Sequence, residues 1–401
     1  MRPVFALRVT PRNRNSWPSV ATALLGAEAA QALDFRVLER PGELPDGTRA
    51  LAFSFVTPEL EGVAREVRAL RASHPGLWLL AGGAHASADP EGTLALGFDA
   101  VVAGEGEQAA QRLCGALAAG GPPPTGVWRS EALLELDQSL HVEPRLGLFP
   151  FAEISRGCPC GCAFCVATRL FGRRMRHRSP QVVAAGVALA ARAGYHRFRF
   201  LSPDAFSYLG RDTLERRAAL EELLVRCFEA GASQLMLGCF PSEVRPDRVE
   251  PELLALLRAR CLNRTVVIGA QAGSDRVLGL MHRGHTVEAS RRAVRLAHEA
   301  DLVPLVDVMF GFPGEAPEDR QASLAFIEEC LRETRALIHA HVYMPLPGSA
   351  AWPAAPEPVE DRVWAALEAH TRTGRLEGDW RKHQRIGARI LRWREEGLIR
   401  V

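Results

Sequence analysis

The chain has 401 residues, of which 47% are hydrophobic and 24% are charged, a composition typical of globular proteins with two or three domains. Its net charge of +2 gives no overall attraction to nucleic acid or to an anionic membrane, and its longest apolar run, near residues 182–191, is too short to span a bilayer. The first residues lack the long apolar segment of a signal peptide, so we expect a cytoplasmic protein without membrane or nucleic-acid partners.

Residues 1–117 alternate between short apolar runs and amphipathic stretches. Strands are predicted at 4–9, 34–39, 50–56, 77–81 and 99–102, with helices at 16–30, at 58–73 and after residue 107. This alternation indicates a doubly wound parallel sheet, in which ligands bind beyond the carboxyl ends of the strands. Glycines at these ends either form ordinary turns or let the backbone approach a ligand closely. The candidate ligand contacts are Arg12, Asn13, Thr57, Gly82, Gly83, His85, Gly104, Glu105 and Gly106.

A segment rich in glycine, alanine and proline follows at residues 115–126 and has the composition of a linker. We therefore predict a connector over residues 118–147, followed by a second domain over residues 148–352. The remaining residues, 353–401, are predicted to form a small C-terminal helical region.

The second domain opens with an apolar strand and a loop that holds four of the nine cysteines within eight residues. Cys158, Cys162 and Cys165 have the spacing C-x-x-x-C-x-x-C, which suits an iron–sulfur cluster on a loop that leaves a strand. Three thiolates on a cluster of four irons leave one iron free to bind another ligand. The alternative is a structural zinc site with Cys160 as the fourth ligand, although zinc patterns usually consist of two separated pairs. Disulfides are disfavoured because nine cysteines is an odd number and no secretory signal is present.

About six strand–helix units follow from this loop and predict a partial (β/α)6 barrel. Strands are expected at 148–154, 197–201, 234–238, 265–268, 305–310 and 338–343. Barrel active sites lie at the carboxyl ends of the strands. The polar residues found there are Ser202, Asp204, Glu243, Arg245, Gln271 and Ser274.

The C-terminal region is helical and basic, with eight Arg or Lys against four Asp or Glu over residues 375–401. Two interpretations remain open for this helix. It either docks on the barrel with a solvated arginine face, or it contacts an anionic substrate or partner. Trp380 is a candidate for capping the active-site cavity.

The cysteine loop, with Phe164 just before its last cysteine, resembles the signature of the radical SAM (S-adenosylmethionine) superfamily. The segments A-G-G-x-H at residues 81–85 and G-E-G-E at residues 104–107 resemble the cobalamin-binding domain that precedes many radical SAM domains. The resemblance implies three cofactors, namely a [4Fe–4S] cluster, SAM and cobalamin, with Cys158, Cys162 and Cys165 as the cluster ligands and Cys160 as a non-ligand. It also implies that the free iron binds SAM, whose cleavage yields methionine and a 5′-deoxyadenosyl radical.

The resemblance to the family also implies roles for the polar residues at the strand ends. Ser202 and Asp204 are expected near the SAM amino group, Glu243 and Arg245 near the ribose and carboxylate, and Gln271 and Ser274 near the nucleoside. Residues 10–15 lack the D-x-H-x-x-G motif whose histidine ligates cobalt in related domains, so we expect cobalamin without a histidine of this domain below it. His85 is either a cofactor contact or a loop histidine.

The resemblance implies a cobalamin-dependent radical SAM enzyme that methylates an unactivated carbon, using one SAM as methyl source and a second as radical source. A non-methylating cyclase or rearrangement enzyme is the first alternative. A methylthiotransferase is disfavoured because it needs three further cysteines in the N-terminal domain, where only Cys114 is present. A metal-binding module without catalysis is the last alternative. The expected partners are a small-molecule or peptide substrate and an external one-electron reductant of the flavodoxin or ferredoxin type.

Overall fold

The computed structural model describes residues 2–40, 43–120, 125–130, 133–149 and 151–401. The N-terminal domain is built on a six-stranded sheet in which every neighbouring pair is parallel, with the order β2-β1-β3-β4-β5-β6. This confirms the predicted doubly wound sheet. The strands are β1 (Val4–Arg8), β2 (Asp34–Leu38), β3 (Thr48–Ser54), β4 (Trp78–Gly82), β5 (Ala100–Ala103) and β6 (Gly126–Arg129).

The sixth strand corrects the predicted connector, because β6 lies inside residues 118–147. It pairs with β5, and its Trp128 is buried beside Trp78, with ring centroids 6.4 Å apart. A strand of four residues next to a glycine- and proline-rich segment has too short an apolar pattern to be recognised locally. Residues 121–124 of the predicted linker lie outside the described residues.

Helices of the N-terminal domain cover the two faces of this sheet, and each face has its own apolar core. The predicted helix over 16–30 is shorter than expected. It ends at Leu25, where the backbone N–H of Gly26 caps it by bonding to Thr22 O, and a 3-10 turn at Glu28–Ala32 follows. The helices are α1 (Pro18–Leu25), α2 (Leu60–Ser73), α3 (Gly83–Ala88), α4 (Pro90–Ala95) and α5 (Ala110–Ala118).

The second domain is an open barrel of six parallel strands, as predicted. Two sheets, β7-β10-β11 and β12-β13-β14, are joined by a parallel bridge between Val244 and Ile268. A short antiparallel ribbon of β8 and β9 lies beside the cysteine loop. The strands are β7 (Ala152–Glu153), β8 (Ser155–Arg156), β9 (Arg176–His177), β10 (Arg197–Leu201), β11 (Gln234–Met236), β12 (Thr265–Gln271), β13 (Val303–Phe310) and β14 (Leu337–Val342).

Helices on the outside of the barrel enclose the largest apolar core of the protein together with the outward-facing residues of these strands. Several begin with a side-chain cap, for example Ser179, Asp212 and Thr286, each of which accepts a backbone N–H of the first turn. The helices are α6 (Ala167–Phe171), α7 (Pro180–Arg192), α8 (Thr213–Glu229), α9 (Pro251–Arg260), α10 (Asp275–Leu280), α11 (Val287–Glu299) and α12 (Pro317–Glu333).

The C-terminal region consists of α13 (Asp361–Arg372), β15 (Leu376–Glu377) and α14 (Trp380–Glu395). Strand β15 pairs with β14 and extends the barrel sheet. Helix α14 contacts both domains: Trp380 belongs to the barrel core, whereas Ile390 and Trp393 belong to the core on one face of the N-terminal sheet. None of the helices within the described ranges is long and apolar enough to cross a bilayer.

Candidate active site

A cavity of about 1630 Å³, including the part that opens to solvent, lies between the two domains. It begins at the carboxyl ends of β1 and β3, the point of the sheet where the strand order reverses, which is where doubly wound sheets bind ligands. The opposite wall comes from the second domain. Residues from both sides line it, among them Asn13, Gly82 and Gly104 from the sheet and Glu153, Phe171 and Leu201 from the barrel side.

The sheet side of this cavity is shaped by backbone that leaves little room for side chains. Asn13 ties two strand ends together, because its Nδ2 donates to Arg8 O at 3.0 Å and to Ser54 O at 2.7 Å. Gly83 has φ +88°, and a Cβ there would lie 2.7 Å from Ser54 Oγ. Glycine is therefore required at this position. Of the other predicted contacts, Arg12, Gly82, Gly104 and Gly106 also line the cavity.

Two predicted contacts, Thr57 and His85, lie away from the cavity lining and bond to each other. Their side chains are buried, with 3.0 Å between Thr57 Oγ1 and His85 Nδ1, and the His85 ring packs on Phe55. Burial lowers the pKa of His85 to about 4, so the ring is neutral. His85 therefore belongs to helix α3 and to the protein interior in this structure.

Glu105, predicted as a cofactor contact, directs its carboxylate into an ion-pair network between the domains. Its oxygens lie 2.6 Å from Arg176 Nη2 and 3.3 Å from Arg156 Nη1. Arg156 also pairs with Glu107 and Glu153, at 2.8 Å in each case. Arg156 directly precedes Gly157 and the cysteine loop, so this network fixes the loop relative to the N-terminal sheet. Buried ion pairs of this kind are stable only when every charge has a partner.

His141, from the predicted connector, lines the same cavity and was not anticipated from the sequence. Its imidazole is fully buried, and burial, together with the charge of Arg178, lowers its pKa to about 3. The ring packs against α7: a Cβ on Gly186 would lie 2.6 Å from His141 Cε1 and 3.1 Å from both ring nitrogens. Both ring nitrogens are buried and have no hydrogen-bond partner among the described residues.

The cysteine loop begins after a glycine with positive φ, Gly157. A Cβ on Gly157, at φ +84°, would lie 2.3 Å from Arg174 O. Within the loop, Cys158 interacts electrostatically with Cys162 and Cys165, whereas Cys160 interacts with Cys158, Arg245 and Asp204. A hydrogen bond with Cys160 lowers the pKa of Cys158 to about 7, which favours the thiolate that binds metal. The donor set of three thiols therefore fits an iron–sulfur cluster.

Asp204 and Arg245 lie together beyond the ends of β10 and β11. Ser202 Oγ donates to Asp204 O at 2.8 Å, and the backbone N–H of Arg245 donates to Asp204 Oδ1 at 3.3 Å. The Arg245 guanidinium pairs with Asp247 and donates to Arg283 O, while its Nη1 has no protein partner. Burial raises the pKa of Asp204. This buried, partly unsatisfied guanidinium suits the carboxylate of an amino acid such as SAM.

Glu243 and Gln271 meet at the next strand ends, with 3.5 Å between Gln271 Nε2 and Glu243 Oε2. Arg283 links them to the cluster loop, because its Nη1 lies 3.4 Å from Cys162 Sγ and its Nη2 donates to Gly269 O. Burial, followed by the charge of Asp307, raises the pKa of Glu243 to about 8.

Ser274 is used differently from its predicted role near the nucleoside. Its hydroxyl caps α10 by accepting the N–H of Val277, and it donates to Asp319 Oδ1 at 2.6 Å. The structure thus brings Ser202, Asp204, Glu243, Arg245 and Gln271 towards the cluster loop, whereas Ser274 stabilises a helix start.

The barrel lumen contains a polar group that sequence analysis missed. Asp307 on β13 and His339 and His341 on β14 share the face opposite the apolar core, with 2.9 Å between Asp307 Oδ1 and His339 Nδ1. Asp307 is also an electrostatic neighbour of Glu243. An available signal was the H-x-H spacing within a predicted strand, since residues two apart project to the same side.

Two family models match separate parts of the chain. Residues 24–114 match the B12 binding domain, and residues 152–327 match the Radical SAM superfamily. The first range contains the sheet that opens on the cavity, and the second contains the cysteine loop and most of the barrel. These matches confirm the expected cofactors: a [4Fe–4S] cluster, SAM and cobalamin.

Among curated proteins, a tRNA-2-methylthio-N(6)-dimethylallyladenosine synthase of Chlorobium chlorochromatii is 29% identical over 50% of this chain and 43% of its own length. The ribosomal protein uS12 methylthiotransferase RimO of Thermus thermophilus is 28% identical over 62% of this chain and 58% of its own length. The chain thus spans about half the length of these curated relatives.

Solved structures share the fold over more of the chain. The radical S-adenosylmethionine methyltransferase TsrM of Kitasatospora setae, with cobalamin and a [4Fe-4S] cluster bound, has a TM-score of 0.64 at 16% identity and covers 88% of this chain and 74% of its own. The cobalamin-dependent S-adenosylmethionine radical enzyme OxsB has a TM-score of 0.58 at 15% identity. The match covers 81% of this chain and 52% of the OxsB chain. At these identities the likeness is one of fold. Sequence motifs, family matches and fold therefore agree on a B12-binding domain over residues 24–114 that is followed by a radical SAM domain over residues 152–327.

Proposed function

We propose that this protein is a cobalamin-dependent radical SAM methyltransferase that methylates an unactivated carbon atom of a small molecule or peptide. The observation that carries the proposal is the cavity that joins the strand ends of the N-terminal sheet to the residues beside the cysteine loop. A corrin at this sheet edge would face the second domain, where SAM would bind. The fold likeness to TsrM, a methyltransferase, favours methylation over other radical outcomes.

The residues of this chain have separate tasks in that reaction. When bound, the cofactors supply a 5′-deoxyadenosyl radical derived from SAM and a methyl group carried by cobalamin. Cys158, Cys162 and Cys165 hold the cluster. Asp204 and Arg245 orient the amino-acid part of SAM, and Glu243 and Gln271 its nucleoside. Asp204 and Gln271 are buried, which limits the access of water to a site in which a reactive radical would form.

The electron donor proposed for this reaction is a small acidic protein of the flavodoxin or ferredoxin type. Arg173 and Arg174 are exposed on the segment that follows the cysteine loop, and Cys158 and Cys165 are only partly buried. A positive surface next to the cluster would attract an acidic donor.

Methylthio transfer, the reaction named for several sequence relatives, is not favoured for this chain. Cys114 is the sole cysteine before residue 158 in the sequence, so an additional three-cysteine site cannot be built in the N-terminal domain. Cys114 itself is buried in α5, with its thiol 3.5 Å from Leu24 O.

The proposal can be tested without knowing the substrate. The full chain, with its cluster reconstituted anaerobically and loaded with cobalamin, is reduced and mixed with SAM labelled in its methyl group. We expect labelled methyl to be recovered with cobalamin, together with an equal amount of S-adenosylhomocysteine.

Gly82→Leu is the variant designed to block cobalamin binding. A Cβ at Gly82 meets no atom closer than 3.8 Å, so the backbone tolerates a side chain there, and the longer leucine side chain would enter the cavity. This variant should retain its iron but take up no cobalamin and form no S-adenosylhomocysteine. Release of 5′-deoxyadenosine by the wild-type protein without any transfer of labelled methyl would contradict the methyltransferase proposal and favour a non-methylating radical enzyme.

A further inference from the structure

The lumen side chains Asp307, His339 and His341 form a compact group outside the residues already assigned to the cofactors. Asp307 Oδ1 lies 2.9 Å from His339 Nδ1 and 3.5 Å from His341 Nε2. One ligand atom from each of the three residues lies within 4.8 Å of the other two. The β13–β14 register produces this arrangement, since Asp307 pairs with His339, and His341 is two residues further along the same face.

These separations, 2.9 Å and 3.5 Å, bracket the distance between neighbouring ligands of a metal ion. Nitrogen and oxygen ligands lie about 2.0–2.1 Å from zinc, so two ligands at octahedral or tetrahedral angles are roughly 3.0–3.4 Å apart. Two imidazoles and one carboxylate also form a donor set that binds divalent transition ions and leaves coordination positions open.

The exposures of the three side chains fit a bound ion that small ligands can reach from one side only. The Asp307 side chain is 5% exposed, whereas those of His339 and His341 are 26% and 23% exposed, so the imidazoles border open lumen. His383 of α14 stacks on His341 with ring centroids 5.7 Å apart, and Glu243 interacts with Asp307. Outer contacts of this kind hold metal ligands in position.

A hydrogen-bonded cluster alone accounts for the group less well. The single oxygen Asp307 Oδ1 faces nitrogens of both imidazoles, and the 3.5 Å separation from His341 Nε2 is long for a hydrogen bond. The two rings also crowd each other, with centroids 4.2 Å apart. A cation among the three side chains satisfies both nitrogens and the carboxylate at once.

We propose that Asp307, His339 and His341 bind a divalent transition ion in the barrel lumen, separate from the iron–sulfur cluster. Its open positions face the lumen and take water or an oxygen or nitrogen atom of the substrate. The ion would thereby orient the substrate below the site where the SAM-derived radical forms. Metal binding by this group does not depend on whether the enzyme transfers methyl groups.

Zinc binding to the full chain tests the proposal without any turnover. The cluster is reconstituted first, so that the cysteines are occupied, and excess metal is removed with a chelator before titration with Zn²⁺. We expect one tightly bound zinc per chain. X-ray absorption at the zinc edge should show only nitrogen and oxygen ligands, including two imidazoles.

His341→Gln and Asp307→Ala should weaken zinc binding by more than about tenfold, because even the loss of an outer partner has that effect on metal affinity. His74→Gln removes an exposed histidine of the other domain and should leave zinc binding unchanged. Sulfur ligands in the wild-type spectrum, binding unaffected by the two lumen variants, or no bound zinc at all would each overturn the proposal. The last result would mean that the three side chains form a hydrogen-bonded cluster only.

Discussion

Single side chains in the cysteine loop differ in their surroundings although they are close in sequence. Cys162 is buried next to Arg283, and Cys158, Cys162 and Cys165 influence one another electrostatically. Cys160 instead lies near Arg245 and Asp204, on the side where SAM is expected. Cys160 also forms a hydrogen bond with Cys158, so the assignment of Cys158, Cys162 and Cys165 to the cluster rests on their spacing in the sequence.

We predict that alanine at Cys158, Cys162 or Cys165 abolishes cluster binding and that Cys160→Ala does not. Removal of one of the three thiolate ligands leaves the cluster bound by only two protein ligands, so its iron and sulfide are lost to the solvent. Iron and sulfide content and the brown absorbance of anaerobically reconstituted protein provide the measurement. Loss of iron in Cys160→Ala together with retention in Cys162→Ala would show that the ligand assignment is wrong.

At the scale of elements, helix α14 connects the two domains, because its start packs on the barrel and its end packs on the N-terminal domain. Trp380 near its start is buried with the barrel core, and His383 contacts His341 in the lumen. Ile390 and Trp393 near its end pack on the N-terminal domain, where Arg389 also pairs with Glu61. The helix therefore docks on both domains, whereas sequence analysis had left open docking on the barrel or contact with an anionic substrate or partner. Arg381 and Arg389 of its arginine stripe form ion pairs with Glu368 and Glu61.

Truncation of the Ile390 side chain should measure how much the contact between α14 and the N-terminal domain contributes to the free energy of unfolding. Ile390 is fully buried, so Ile390→Ala should lower the free energy of unfolding by about 2–5 kcal/mol. Arg385→Ala, on the exposed face of the same helix, should change it by less than about 0.5 kcal/mol. Urea unfolding of the full chain gives both values. Equal effects of the two substitutions would argue against docking of α14 on the N-terminal sheet.

At the scale of the whole molecule, buried charges hold the domains in register around the cavity. Glu105 and Glu107 of the N-terminal domain face Arg156 and Arg176 of the second domain, and Glu153 joins Arg156 to Arg178. Burial alone would raise the pKa of Glu153, but the charges and hydrogen bonds of Arg156 and Arg178 lower it to about 2. The network thus favours the ionised carboxylate.

This depressed pKa makes part of the stability depend on pH. The contribution of Glu153 should be complete above its unfolded pKa of about 4.5 and should be lost as pH falls from there towards 2. At pH 7, Glu153→Gln should cost about 3–5 kcal/mol, because it leaves a buried arginine charge without its partner. The difference from wild type should shrink below pH 4.5 in urea unfolding series.

Glu333→Gln is the matched control for this effect, since its pair with Arg332 is exposed. It should change stability by less than about 1 kcal/mol at any pH. A deficit of Glu153→Gln that stays constant from pH 7 to pH 3 would contradict the role assigned to the carboxylate charge.

The sequence by itself determined those features that depend on neighbours along the chain. The alternating apolar runs predicted both parallel sheets, because side-chain periodicity follows directly from strand and helix geometry. Cysteine spacing predicted a three-thiol metal loop, and glycines at strand ends such as Gly83 marked the ligand edge of the first sheet. Each of these signals is contained within about ten consecutive residues.

Tertiary structure alone decided which side chains meet across long stretches of chain. It turned Thr57 and His85 away from the cavity lining, paired Glu105 with Arg176 of the other domain, and brought His141 to the cavity wall. It also joined Asp307 to His339, 32 residues away. Contacts of this kind depend on sheet order and domain packing, which burial of the whole apolar surface determines, and no local pattern encodes them.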